Sequence, residues 1–170
     1  MDNLWPKEFK TLDITAPKDI LEEQCGYLKQ LTGDKIIARV AEVAILPFSL
    51  LKKTQKGLYG EKFFSDRKDA LFNYEYFITS IHTPNYKFQI MYLSYGIPYY
   101  PLFIQLDESI GEELNNNKDI SGIDISTNHP AQIVINSQEE FILILSNVLA
   151  SKKVTNVINT LLTIANKTNG

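Results

Sequence analysis

Two histidines are the residues of this chain best suited to acid/base or metal chemistry. His82 and His129 are each followed within two residues by a proline, so both are predicted to lie beside turns. If the two turns meet at one end of a sheet, the imidazoles and a carboxylate of Asp107 or Glu108 could form an acid/base pair or a metal site. No HxH or HExxH spacing accompanies the histidines. We therefore expect solvated or turn-capping imidazoles and predict no metal.

The positions of the other potentially reactive residues also indicate structural roles. Cys25 falls two turns into a predicted helix and on its apolar stripe, which is typical of a small buried hydrophobic residue rather than of a nucleophile. The motifs GxSxG, GxGxxG and GxxxxGK[ST] are absent. The acidic residues between 107 and 124 lack the spacing of a calcium loop, which indicates a solvated acidic loop. No catalytic residue and no cofactor is predicted, and an enzyme is the less favoured interpretation.

Tyrosines supply the strongest functional pattern. Tyr92, Tyr95, Tyr99 and Tyr100 cluster around one predicted turn, and tyrosine is enriched in protein interfaces. Their other interpretation is a rim of the core with hydroxyl groups in water. Trp5, in an N-terminal arm, is expected to pack on the core, with anchoring of a partner protein as its alternative. The predicted protein-binding residues are Tyr92, Tyr95, Tyr99, Tyr100 and Trp5.

The elements that must position these tyrosines form an aromatic meander over residues 71–107. Three runs alternate apolar and polar residues with the period of a strand that has one covered face, and they are separated by turns near residues 83–85 and 96–98. The alternation predicts three sets of residues facing the core: Phe72, Tyr74, Tyr76 and Ile78; Tyr86, Phe88, Ile90 and Tyr92; Tyr100, Leu102, Ile104 and Leu106.

The rest of the chain predicts helices on either side of the sheet. Residues 1–15 are an extended arm, 16–33 a helix, 35–136 mainly antiparallel sheet with polar loops near 52–69 and 107–130, and 137–167 a helical pair. Ser137 and Glu140 have the spacing of a capping box at the start of that pair. The predicted fold is α+β: a curved antiparallel meander of about four to six strands packed against an N-terminal helix and a C-terminal helical pair.

Composition narrows the class of protein. The 170 residues suit a single domain, and the net charge of −3 with scattered lysines makes nucleic acid an improbable partner. The sequence has one cysteine, no apolar run long enough for a membrane span and no apolar segment typical of a secretory signal, which indicates a soluble cytoplasmic protein.

The function that these observations favour is a non-enzymatic, cytoplasmic protein-binding module. It would act in a bacterial or phage system as an accessory subunit, an inhibitor or a self-assembling component, with a protein partner or a second copy of itself. Two alternatives stay open: an enzyme that processes a small molecule or nucleotide at one end of the sheet, and a ligand-binding protein with a cavity inside a curved sheet.

Overall fold

The chain forms an α+β structure in a computed structural model that describes residues 1–44, 72–117, 120, 125–126 and 131–168. The predicted fold class, an antiparallel sheet between an N-terminal helix and a C-terminal helical pair, is confirmed. The loop predicted near 52–69 lies outside the described residues, as do parts of the loop predicted at 107–130.

Four helices and six strands make up the described part of the chain. The helices are α1 (Pro17–Leu31), α2 (Glu108–Asn115), α3 (Gln138–Leu149) and α4 (Lys152–Thr168). The strands are β1 (Ile36–Glu42), β2 (Phe72–Ser80), β3 (Thr83–Tyr95), β4 (Leu102–Leu106), β5 (Ile125–Ser126) and β6 (Gln132–Ile135). They form one antiparallel sheet in the order β1-β2-β3-β4-β6-β5.

Helix α1 begins and ends where its sequence favours it. Pro17 occupies the first turn, where its missing N–H has no intrahelical partner to lose. After the last turn, Gly33 (φ 56°) and Asp34 (φ 64°) adopt left-handed conformations and direct the chain into β1. On the apolar side of α1, Ile20 and Leu21 are buried, whereas Leu31 in the last turn is exposed.

One face of the sheet carries the core. The strand registers align Ala38 with Ile78 and Ile78 with Phe88, and farther along they align Met91 with Leu106. The buried residues on this face contact buried residues of α1, α3 and α4. The principal ones are Ile36, Ala38, Tyr76, Ile78, Phe88, Met91, Leu93, Tyr95, Leu102, Ile104, Leu106, Ile133 and Ile135.

A bulge in the β2–β3 pairing changes which residues of β3 face the core. Tyr76 pairs with Met91 while Phe77 pairs with Gln89, so Ile90 is an extra residue in β3. Beyond the bulge the alternation is shifted by one position. Tyr92 therefore lies on the second face, and its predicted place on the core face is wrong. A second irregularity lies near the hairpin turn, which comes earlier than predicted, at Ile81 and His82.

The C-terminal helices have the caps that the sequence predicts. The Ser137 hydroxyl accepts a hydrogen bond from the Glu140 amide at 3.2 Å, and the Glu140 carboxylate accepts one from the Asn136 amide at 2.6 Å. Ser151 caps α4 through the Val154 amide. Among the described residues, no helix taken singly has both the length and the hydropathy for crossing a bilayer; α3 and α4 reach them only as a pair bent by 50° at their break.

Helix α2 occupies the start of the segment predicted as a polar loop. Asp107 caps it by accepting a hydrogen bond from the Ser109 amide at 3.0 Å. Ile110, Gly111 and Leu114 are buried. The apolar residues of this segment are three or four positions apart, which is enough for two helical turns once the core is available to cover them.

Candidate binding cleft

A cleft of about 720 Å³ lies at the end of the sheet where β3 passes to β4. Three segments line it: residues 11–14 of the arm, residues 97–100 between the strands, and residues 136–139 at the start of α3. We call it the arm cleft. The turn predicted at 96–98 forms one of its walls, so two of the five predicted binding residues, Tyr99 and Tyr100, line it.

The elements around the arm cleft fix its walls. The strand β3 ends at Tyr95 and β4 begins at Leu102, so residues 97–100 connect two paired strands and are held at both ends. The capping box fixes the start of α3. The arm is attached beside it, because the Thr15 amide donates a 2.7 Å hydrogen bond to the Gln138 side chain.

Tyr100 gives the arm cleft a shielded polar group. Its hydroxyl is buried and has no hydrogen-bond partner in the described part of the chain. Burial, followed by the negative charge of Glu139, raises the pKa of Tyr100 to about 12. The pKa of Glu139 is lowered by hydrogen bonds from its own backbone amide and from the Ser137 hydroxyl. At neutral pH the cleft is therefore lined by the exposed Glu139 carboxylate and by a neutral phenol whose hydroxyl is shielded from solvent.

The other predicted tyrosines do not line the cleft. Tyr95 is only 3% exposed; it stacks on Tyr74, and its ring meets Tyr99 edge-on, with centroids 5.8 Å apart in both pairs. Its expected place on an accessible surface is wrong, because the shift caused by the bulge places it on the core face. Tyr92 is half-buried on the second face, where burial and the charge of Glu75 raise its pKa.

Trp5 does not pack on the core as expected. It is 74% exposed, and its ring instead contacts Phe9, at 6.4 Å between centroids. Because the first ten residues are all exposed, the arm makes a local aromatic pair rather than a docked strand. The exposed row of large apolar side chains in the arm is Leu4 (87%), Trp5 (74%), Phe9 (74%) and Leu12 (75%). Its last member, Leu12, lines the arm cleft.

A row of polar residues crosses the second face of the sheet, and the sequence did not predict that these residues align. Glu75, Tyr92, Gln105 and Gln132 lie opposite one another on four adjacent strands. Glu75 and Gln132 are buried, and Lys87 forms an ion pair with Glu75. The alternation predicts Glu75 and Gln105 for this face, but Tyr92 joins them only after the bulge is counted. The row shows that polar groups of this face are withdrawn from solvent in the middle of the sheet.

The residues first considered for chemistry are dispersed where the structure describes them. His82 lies in the β2–β3 turn, and its backbone amide donates to the Ser80 hydroxyl. His129 lies outside the described residues, so the expectation of solvated or turn-capping imidazoles stays a prediction for it. Cys25 is half-buried on α1 and burial raises its pKa to about 11, as expected for a packed thiol. No group of three or more potential metal ligands occurs in the described ranges.

We compared the chain with models of protein families, with curated proteins and with solved structures, and none of these comparisons gives a match.

Proposed function

We propose that this chain is a non-enzymatic, cytoplasmic protein-binding module that contacts its partner through the arm and the arm cleft. It would serve a bacterial or phage system as an accessory subunit, an inhibitor or a self-assembling component. The observation that carries the proposal is the exposed apolar row in the arm, which leads directly into the cleft at Leu12.

Large apolar side chains of the arm are exposed in the folded chain, where a partner could bury them. Fully burying a large apolar side chain stabilises by roughly 1.5–3 kcal/mol relative to exposing it. Leu4, Trp5 and Phe9 contribute little of this stabilisation to the folded chain, because they are mostly exposed. Tryptophan and tyrosine are also the residue types that dominate binding energy in protein interfaces. A partner that covers the arm would gain the stabilisation that folding leaves unused.

The arm cleft adds specificity to this apolar contact. Ile97 and Leu12 offer exposed apolar surface at its walls, while the exposed Glu139 carboxylate offers a hydrogen-bond acceptor. A hydrogen-bond donor of the partner placed against this charged acceptor forms a charge-assisted hydrogen bond, which adds stability to the complex. The occupant that fits best is an apolar segment of a protein with one hydrogen-bond donor opposite Glu139.

The test first identifies the partner and then replaces aromatic side chains of the arm and of the arm cleft. A photoreactive residue at Ile97 would identify the contacting protein by crosslinking, and a second copy of the chain is one possible product. The affinity of the purified pair is then measured by calorimetry. The variant carrying Trp5→Ala, Tyr99→Ala and Tyr100→Ala is expected to bind at least about tenfold more weakly.

A matched control comes from the opposite end of the sheet. Ile81 and Tyr86 are also exposed but lie at the β2–β3 hairpin, away from the residues that line the arm cleft. The variant Ile81→Ala with Tyr86→Ala is expected to bind with unchanged affinity. Equal losses in both variants, or none in either, would show that the arm and its cleft are not the contact surface.

A further inference from the structure

A second cavity, of about 220 Å³, lies between α1, the core face of the sheet and the α3–α4 pair. We call it the helix crevice. Its inner walls are apolar: Leu28 of α1, Ile78 and the ring of Tyr76 from β2, Ile90 from β3, and Val154 and Ile158 of α4. The crevice opens to solvent beside Tyr27 and Leu31, which are exposed, so a ligand can enter it without unfolding of the core.

The lining favours an apolar occupant over water. A well-ordered water molecule needs two to four polar partners, which the apolar inner walls do not supply, and an engineered apolar cavity of about 150 Å³ holds one benzene molecule. The side-chain amide of Gln24 and the hydroxyl of Tyr27 lie on the α1 side of the crevice, and Tyr27 is already hydrogen-bonded to Glu23 at 2.8 Å. Scaling from benzene, 220 Å³ accommodates about nine non-hydrogen atoms.

We propose that the helix crevice binds a small neutral molecule with an apolar body of about eight carbons and one uncharged polar end. The body lies among Ile78, Ile90 and Ile158, and the polar end meets Gln24. Charge argues against a carboxylate ligand, because Tyr27 holds the Glu23 carboxylate beside the crevice. This site is separate from the arm cleft and does not depend on a protein partner.

The test uses straight-chain alcohols from 1-butanol to 1-dodecanol, with isoleucine methyl groups observed by NMR. The methyl signals of Ile78, Ile90 and Ile158 are expected to shift and saturate, while that of Ile164, which does not line the crevice, stays in place. Affinity is expected to rise about fourfold per methylene up to 1-octanol and then to stop rising, because longer chains no longer fit. Octanoate is expected to bind more weakly than 1-octanol.

Two substitutions change the size of the crevice. Ile158→Phe fills it and is expected to lower the affinity for 1-octanol at least tenfold, whereas the control Ile164→Phe, on the same helix, leaves it unchanged. Leu149→Ala removes three carbons from the wall and is expected to move the preferred alcohol to 1-decanol or 1-undecanol; this variant decides the matter if Ile158→Phe does not fold.

Three results would overturn the proposal. The first is an affinity that keeps rising through 1-dodecanol equally in all variants, which indicates non-specific binding. The second is unshifted methyl signals at Ile78, Ile90 and Ile158. The third is octanoate binding as tightly as 1-octanol.

Discussion

The thiol of Cys25 illustrates how position on a helix decides the chemistry of a residue. Burial, with a smaller effect of the Glu22 charge, raises its pKa from 9.0 to about 11. Its place on the apolar stripe was readable from spacing alone, because a helix repeats every 3.6 residues and the neighbouring apolar positions fix the buried side. The extent to which the Cys25 thiol is buried depends on packing by other elements and could not be predicted from the sequence.

We predict that alkylation of Cys25 at pH 8 is about a hundredfold slower in the folded protein than in the denatured chain, because the thiolate fraction falls in proportion to the rise in pKa. The rate in the folded state should increase with pH until about pH 11. The measurement is mass spectrometry of iodoacetamide-treated protein, with and without urea.

The same shift sets a pH dependence of stability. A raised pKa in the folded state means that the contribution of the thiol is fully present below its unfolded pKa and is lost as the pH rises toward 11. The free energy of unfolding should thus fall less steeply between pH 9 and 11 in Cys25→Ala than in the natural sequence.

For the alkylation experiment, equal rates in urea and in buffer would contradict the burial of this thiol.

At the scale of elements, regular alternation made the strands predictable. One inserted residue in β3 made it impossible to predict which face the last residues of that strand occupy. The sequence places Tyr76, Ile78 and Phe88 on the core face, and the structure agrees. A bulge leaves no reliable mark in composition, since Ile90 is apolar like Phe88 and Met91, and nothing in the residue types shows which of them is the inserted one. Past Ile90 and to the end of β3, the side chains lie on the face opposite to the predicted one. Tyr95 is therefore a core residue, and half of the predicted tyrosine site could not be located from sequence.

A close contact between α2 and the residue before β6 gives a test at the same scale. A Cβ added at Gly111 would lie 2.0 Å from the Cβ of Ala131, so Gly111→Ala forces the helix away from the sheet. Overpacking of this kind is unfavourable by about 1–3 kcal/mol, which exceeds the helix-propensity gain of at most about 1 kcal/mol. We predict a net loss of stability, measured by urea unfolding.

Gly26 supplies the matched control, because it also lies inside a helix but an added Cβ meets nothing within 4 Å. Gly26→Ala should therefore stabilise the protein by about 0.5–1 kcal/mol. A gain of stability in both variants would show that α2 does not approach Ala131 as closely as described.

At the scale of the whole molecule, the layers were predictable but the arm was not. Amphipathic helices and alternating strands each demand a covered face, and packing the helices on the sheet is the arrangement that covers them all. An extended arm with scattered apolar residues has no period, so nothing in its sequence specifies whether its side chains face the core or solvent. The arm cleft could not be predicted for the same reason, since it forms between three segments distant in sequence.

Removing residues 1–10 separates the structural role of the arm from its proposed binding role. All ten residues are exposed, so the deletion is expected to change the free energy of unfolding by no more than about 0.5 kcal/mol. Leu21→Ala, a buried position on α1, is the contrasting control and should destabilise by about 2–5 kcal/mol. The shortened chain should also bind its partner more weakly, because Leu4, Trp5 and Phe9 are absent. A loss of stability comparable to that of Leu21→Ala would instead mean that the arm belongs to the core, and weaker binding would then follow from unfolding rather than from a lost contact.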